Sequence, residues 1–148
     1  VLPAVPSQYE RYVNFVVSDI SLAKYTRENL SYCGVFYSNV PGVGYDFMYI
    51  DGPAFIHKEH YLGSINPDLM NYNKKLGKPI DADCINILKK ESTDKTTLIV
   101  DQRIATRHAI LKLSNSVYAS KYYPILGKSV IEIKTPNFRD VSITSLSE

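Results

Sequence analysis

Two carboxylates follow the most strand-like segments of the chain. Asp51 ends the apolar run YDFMYI, and Asp101 ends TTLIV, a second short β-branched run. Open α/β sheets bind their ligands at the carboxyl ends of strands, where a carboxylate can hold a ligand or act as a general base. Arg103 could bind an anionic substrate through two hydrogen bonds. The candidate catalytic residue is therefore Asp51, and the candidate substrate-binding residues are Asp101 and Arg103.

These residues also have a purely structural interpretation. Asp51, Gly52 and Pro53 form a sequence that commonly turns a chain. Asp101 could cap the helix that is predicted to begin just after it, with Arg103 exposed on the surface. The sequence alone leaves the functional and the structural interpretation open.

A second cluster that could do chemistry contains His57, Glu59 and His60. Two histidines three residues apart can share a metal ion on a helix, so a metal hydrolase that also uses Asp51 is an alternative. The spacing HKEH is not the HExxH arrangement, and no distant third ligand is marked. We therefore predict a loop here and no metal site.

Composition places the chain among ordinary globular domains. It has 148 residues, 22% of them charged and 45% hydrophobic, with a formal charge of +2. This length predicts one domain over 1–148, and the weak charge predicts no nucleic-acid partner. No apolar run approaches the roughly 20 residues that span a bilayer, so no membrane partner is expected. The chain starts at Val1 instead of Met, which suggests a fragment.

The cysteines and the first residues of the chain indicate a compartment. Cys33 and Cys84 form neither a disulfide framework nor a CxxC pair, as expected of a reduced protein. The opening VLPAVPSQYERY lacks the basic and apolar segments of a signal peptide. A cytoplasmic location is therefore predicted.

Hydrophobic patterns divide the chain into strands that alternate with helices, as in α/β proteins with a mainly parallel sheet. A hairpin with a turn at Glu28-Asn29 competes with a short helix over 21–29. The predicted elements are a buried strand at 12–20, the hairpin 21–38, a strand at 45–50, a loop at 54–78 with helix near 67–76, a helix at 80–92, a strand at 96–103, a helix at 104–116, a hairpin at 122–137 and an edge strand or frayed tail at the end.

The pair FMYIDGP (47–53) and TTLIVDQR (96–103) resembles the later half of the class I S-adenosylmethionine-dependent methyltransferases. In that family a hydrophobic strand ending in Asp-Gly or Asp-Pro precedes a helix, and a further strand then ends in an acid. The resemblance implies a Rossmann-like three-layer sandwich with a mainly parallel sheet and a C-terminal antiparallel hairpin. It implies S-adenosylmethionine as cofactor and a small hydroxyl or carbohydrate-type acceptor. The cofactor-binding residues that it implies are Ser18, Asp19, Asp51 and Gly52.

The glycine-rich turn that binds the cofactor in that family has no counterpart here. The close pair Gly42 and Gly44 precedes a strand instead of following one, which is the wrong side for a nucleoside. The first two strands of the family are also missing, so the sheet is expected to be incomplete at its N-terminal side. Two functions stay open: a methyltransferase-like domain, inactive as it stands, or a non-enzymatic α/β interaction or assembly domain. Either one could form a homo-oligomer that completes the sheet.

Overall fold

The computed structural model of the chain describes residues 4–51, 79–90, 94–115, 117–134 and 138–146. These ranges contain strands, two α-helices and a short 3-10 helix. In chain order they are the 3-10 helix Ser7–Tyr12, β1 Ile20–Arg27, β2 Leu30–Tyr37, β3 Phe47–Ile50, β4 Ile80–Asp81, α1 Asp83–Lys90, β5 Lys95–Asp101, α2 Ile104–Leu113, β6 Val117–Tyr123, β7 Lys128–Lys134 and β8 Ser142–Ser145.

The strands form two mixed, mostly antiparallel sheets, so the predicted Rossmann-like sandwich with a mainly parallel sheet is wrong. The first sheet has the order β4-β2-β1-β8, and the second has the order β3-β5-β7-β6. Each contains one parallel pair among the described strands, β2 with β4 and β3 with β5. Short turns join β1 to β2 and β6 to β7, and such turns impose antiparallel pairing because parallel strands need a long crossover.

Both hairpins form where turn residues interrupt alternating sequence. Arg27 lies opposite Leu30, so Glu28 and Asn29 form the predicted turn, and the alternative helix over 21–29 is wrong. Glu28 has a φ of 52°, the left-handed conformation that tight hairpin turns require. The closing hairpin also forms, with its turn between Tyr123 and Lys128. Its first strand, Val117–Tyr123, begins earlier than the predicted start at residue 122.

The buried strand predicted at 12–20 is also wrong. Residues 13–19 belong to no strand of the described chain, and pairing begins where Ile20 lies opposite Tyr37. Val17 is 83% exposed. The β-prone composition of this segment is not sufficient, because a strand forms only where a neighbouring backbone accepts its hydrogen bonds.

The other predicted elements that fall within the described residues are present with shifted ends. The helix at 80–92 is shorter, because its first residues form β4 before α1 begins at Asp83. The strand at 96–103 and the helix at 104–116 correspond to β5 and α2, and β8 is an edge strand of the first sheet. The predicted loop at 54–78 lies outside the described residues.

Both sheets and both helices contribute to one hydrophobic core. Tyr25 of β1, Ile85 of α1, Leu98 of β5, Ile110 of α2 and Ile131 of β7 are fully buried members of the same cluster. Both helices contact the first sheet, α1 at β2 and α2 at β2 and β4. Arg103 lies near both Asp51 and Asp81, so the ends of β3 and β4 and the residues after β5 are near one another.

One close approach fixes α1 against the first sheet. Gly34 of β2 lies under the ring of Tyr25, and a Cβ atom there would come within 2.3 Å of the ring and 2.7 Å of the Cβ of Ala82. The Tyr25 hydroxyl donates a hydrogen bond of 2.8 Å to the side-chain oxygen of Asn86 in α1. Burial raises the pKa of Tyr25, so its hydroxyl stays a donor over the whole physiological range.

Replacing Gly34 with Ala should destabilise the protein by about 1–3 kcal/mol, because the ring of Tyr25 is fully buried and has no room to move. Chemical denaturation measures the change in the free energy of unfolding. Gly42→Ala is the matched control, since Gly42 is exposed and does not have a positive φ. Equal stabilities of the two variants would contradict the packing described here.

Candidate functional site

The carboxyl ends of β3 and β5 lie side by side. Phe47 is opposite Thr97 and Ile50 is opposite Val100 in this parallel pair. Asp51 directly follows β3, and Asp101 is the last residue of β5. Both therefore lie at the carboxyl ends of this parallel pair, at the same edge of the sheet. The structure thus brings together the two carboxylates that the sequence singled out.

Arg103 connects this edge to the first sheet. Its Nη2 lies 3.7 Å from Oδ1 of Asp51, and its Nε lies 3.6 Å from Oδ2 of Asp81 in β4. The Arg103 side chain is only 18% exposed, so the interpretation of Arg103 as a surface residue is wrong. The Asp101 side chain does not cap α2, because its Oδ2 accepts hydrogen bonds from Tyr49 and Lys128 and its buried Oδ1 has no hydrogen-bond partner among the described residues.

Asp81 is the most buried carboxylate of the group, with 2% of its side chain exposed. The Thr106 hydroxyl of α2 accepts a 2.9 Å hydrogen bond from the Asp81 backbone N–H and donates one of 3.3 Å to Oδ2. The helix predicted at 80–92 would put Asp81 in its first turn, a position that does not indicate this role. The sequence does contain one indication of a buried charge, because Asp81 stands between the apolar residues Ile80 and Ala82.

Asp101 belongs to a hydrogen-bonded network on the second sheet. The Tyr49 hydroxyl donates to Oδ2 of Asp101, and Nζ of Lys128 donates to the Tyr49 oxygen at 2.7 Å and to Oδ2 at 3.1 Å. The hydrogen bonds from Tyr49 and Lys128 lower the pKa of Asp101, and those to Tyr49 and Asp101 raise the pKa of Lys128. Both groups are therefore charged at neutral pH. Lys128 lies far away in sequence, and only the register of β5 with β7 places it opposite Asp101.

A cavity of about 430 Å³ lies between β3 and α1. Its walls combine three aspartates, three tyrosines and several apolar side chains. The main lining residues are Asp51, Asp81, Asp83, Tyr37, Tyr45, Tyr49, Val40, Phe47, Met48, Ile50 and Ile87. Ligand sites are commonly built in this way, with mostly apolar walls and a few polar groups that fix orientation.

The environment of Asp83 changes the pH at which this cavity carboxylate titrates. Burial raises its pKa from 3.8 to about 6, the backbone N–H of Tyr37 partly opposes the rise through a 2.9 Å hydrogen bond, and the charge of Asp81 adds to it. Asp83 therefore changes from neutral to charged close to physiological pH. The cavity becomes more negative above pH 6.

The structure does not place the other expected cofactor residues at this cavity. Ser18 and Asp19 are absent from the described residues that line it. The Ser18 hydroxyl accepts a 2.8 Å hydrogen bond from the N–H of Asn39, and the Asp19 carbonyl accepts one of 2.9 Å from Ser38. These bonds extend the open end of the β1–β2 hairpin. Gly52 lies outside the described residues.

His57, Glu59 and His60 lie outside the described residues as well. Within the described ranges, no group of three or more His, Cys, Asp or Glu side chains is placed to hold a metal ion. No helix in those ranges is long and apolar enough to cross a membrane.

Comparisons of the chain with protein-family models, curated proteins and solved structures find no match. The resemblance to methyltransferases therefore stays a prediction. The function has to be argued from the chemistry of the cavity and of the strand ends beside it.

Replacing Arg103 with Gln should lower the free energy of unfolding by about 2–4 kcal/mol, because it removes a cation from a carboxylate that is almost fully buried. Denaturation of Arg103→Gln measures this, with exposed Arg139→Gln as control. Adding Asp81→Asn should recover part of the loss, because a neutral amide needs no cation. A loss that the second substitution leaves unchanged would show that the ion pair is not its cause.

Replacing Asp83 with Asn should stabilise the protein at pH 8 relative to its effect at pH 5. The pKa of Asp83 is higher in the folded protein than its ordinary value of 3.8, so its contribution to stability is full below pH 3.8 and is lost as pH rises through about 6. Asparagine keeps an acceptor for the Tyr37 N–H and carries no charge. Because the group is partly solvated, the gain is about 1 kcal/mol.

Urea denaturation of the wild type and Asp83→Asn at both pH values measures this gain. Exposed Asp94→Asn is the matched control. A stability difference that does not change between pH 5 and pH 8 would rule out the titration of Asp83.

Proposed function

We propose that the cavity between β3 and α1 binds a small organic molecule that combines a positive charge with an apolar or aromatic body. The observation that carries this proposal is that Asp51, Asp81 and Asp83 line a cavity whose other walls are apolar and aromatic. Arg103 contacts two of these three carboxylates, which leaves the Asp83 end for a ligand cation. A cationic ligand gains from the carboxylates and also from the faces of the tyrosine rings.

S-adenosylmethionine is the first candidate ligand. It carries a sulfonium and an ammonium group and has an adenine ring, so its charges suit the aspartates and its ring suits the apolar walls. The segments FMYIDGP and TTLIVDQR led to the same molecule through their resemblance to methyltransferases. The corrected fold lends no weight to this choice, which rests on the chemistry of the cavity.

The reaction proposed is transfer of the methyl group to a small hydroxyl or carbohydrate-type acceptor. Asp51 is 64% exposed and can take the proton of an acceptor hydroxyl, whose oxygen then bonds to the methyl carbon as the carbon–sulfur bond breaks. The products are the methyl ether and S-adenosylhomocysteine. Arg103 and Asp101 lie at the same strand ends and are proposed to bind the acceptor. The free thiols of Cys33 and Cys84 support a reducing, cytoplasmic location.

A second candidate function is assembly without catalysis. It is supported by the exposed apolar side chains of residues 13–17 and by the edge strand β3, which pairs on one side only among the described strands. Unprotected strand edges can pair with another chain, and exposed apolar patches often mark interaction sites. Such a domain would form a homo-oligomer in which a second copy extends the sheet.

Isothermal titration of S-adenosylmethionine into the protein at pH 8 tests the first candidate. We expect saturable binding that Asp83→Asn weakens about tenfold, the equivalent of about 1.4 kcal/mol, because the carboxylate left for the ligand cation loses its charge. The exposed substitution Asp94→Asn should leave the affinity unchanged. S-adenosylhomocysteine, which lacks the sulfonium charge, should bind more weakly.

The outcomes show whether the cavity recognises S-adenosylmethionine itself or prefers cations in general. If S-adenosylmethionine gives no heat but agmatine raises the melting temperature of the wild type and not of Asp83→Asn, the cavity selects cations and the methyl donor is wrong. If neither compound binds, the proposal fails. Equal affinities for S-adenosylmethionine and S-adenosylhomocysteine would exclude recognition of the sulfonium.

A further inference from the structure

One exposed, β-prone segment of the described chain belongs to neither sheet. Residues 13–17 have the sequence VNFVV and lie outside every described strand, with Val16 45% exposed and Val17 83% exposed. The backbone is already extended at Val13, where φ is −115° and ψ is 125°. An exposed, extended run of β-branched and aromatic residues is a typical donor for pairing between chains.

The outer edge of β3 is the best acceptor among the described strand edges. Its sequence FMYI contains neither charge nor proline, and it pairs with β5 on one side only within the described residues. The other edges are poorer acceptors. β6 carries Lys121 and an irregularity between Val117 and Ala119, features that discourage pairing between chains, and β4 is two buried residues long. β8 has the same length as β3, but three of its four residues are Ser or Thr, so an added strand would bury little apolar surface there.

The cavity beside β3 offers room for the side chains of an added strand. The apolar side chains of Val40, Met48 and Ile87 line it. The valine and phenylalanine side chains of an added strand would pack against them and remove apolar surface from water. The carboxylate of Asp51 follows the last residue of β3, so a strand paired along Phe47–Ile50 would use the apolar part of the cavity.

We propose that residues 13–17 of one copy pair with the outer edge of β3 in a second copy. This inference rests on the second candidate function, self-assembly, and names the segment and the edge that perform it. A second copy is the fitting partner because each chain carries both the donor and the acceptor. The segment leaves the domain at Ser18, which is hydrogen-bonded to Asn39 beside the cavity residue Val40. Donor and acceptor are therefore close, and a two-fold exchange closes on itself.

Size-exclusion chromatography with light scattering tests the assembly. The wild-type chain should have at least twice the mass of one copy and should dissociate on dilution. Val16→Asp should weaken association at least about tenfold, because a charge would enter an apolar interface. Ile125→Asp is the matched control, since Ile125 is an apolar side chain that is fully exposed in the β6–β7 turn. It should associate like the wild type.

Disulfide trapping tests the position of the segment. The register of the pairing determines whether Val16 or Val17 faces β3. Val16→Cys and Val17→Cys are therefore tested separately, each mixed with a second chain that carries Phe47→Cys. Oxidation should give a crosslinked heterodimer with one of them and much less with Ile125→Cys. Cys33 and Cys84 are buried, and burial raises the pKa of the Cys33 thiol to about 11, so they contribute little background.

The two experiments distinguish the pairing from the assembly itself. A protein that is monomeric at every concentration overturns both the pairing and the second candidate function. Association that survives Val16→Asp, without a crosslink to position 47, overturns the pairing and leaves assembly through another surface. Association that both tests trace to residues 16 or 17 and 47 supports the proposal.

Discussion

The buried carboxylate of Asp81 is the constraint on which the junction of the two sheets depends. A charge at a position that is 2% exposed has to be compensated, and Arg103 and Thr106 provide the compensation. Both residues belong to the start of α2, so this helix must begin beside β4. Arg103 also reaches Asp51 at the end of β3, which draws the second sheet to the same place. The cavity lies beside this junction, where Asp51 follows β3, Asp81 belongs to β4 and Asp83 begins α1.

Elements with strong local signals could be predicted from the sequence. Helix α1 begins with Asp83 and ends with Lys89 and Lys90, an order of charges that stabilises the helix dipole. The hairpin turn at Glu28-Asn29 likewise depends on residues next to each other in the chain. Asp51 and Asp101 could be found for the same reason, since a carboxylate directly after an apolar run marks the end of a strand.

Features that depend on pairing between distant segments could not be predicted in this way. The segment YVNFVVSDI has the composition of a buried strand, but no local property shows that β2 and β8 pair with the chain only from Ile20 and Ala23 onward. The mostly antiparallel pairing of the two sheets was missed for the same reason. Tyr49 and Lys128 join Asp101 only through the register of three strands, so no spacing in the sequence connects them.

The pattern of an apolar run followed by Asp describes the end of one strand, and it does not specify the sheet around that strand. Two strands with this pattern do pair in parallel here, so their carboxylates meet as they would in a parallel α/β sheet. The rest of that sheet is replaced by an antiparallel hairpin and by a separate sheet that supplies Asp81. The chemistry of the shared edge is therefore determined by what surrounds it. A buried aspartate from the first sheet and an aspartate that titrates near pH 6 make this edge more negative than Asp51 and Asp101 would alone.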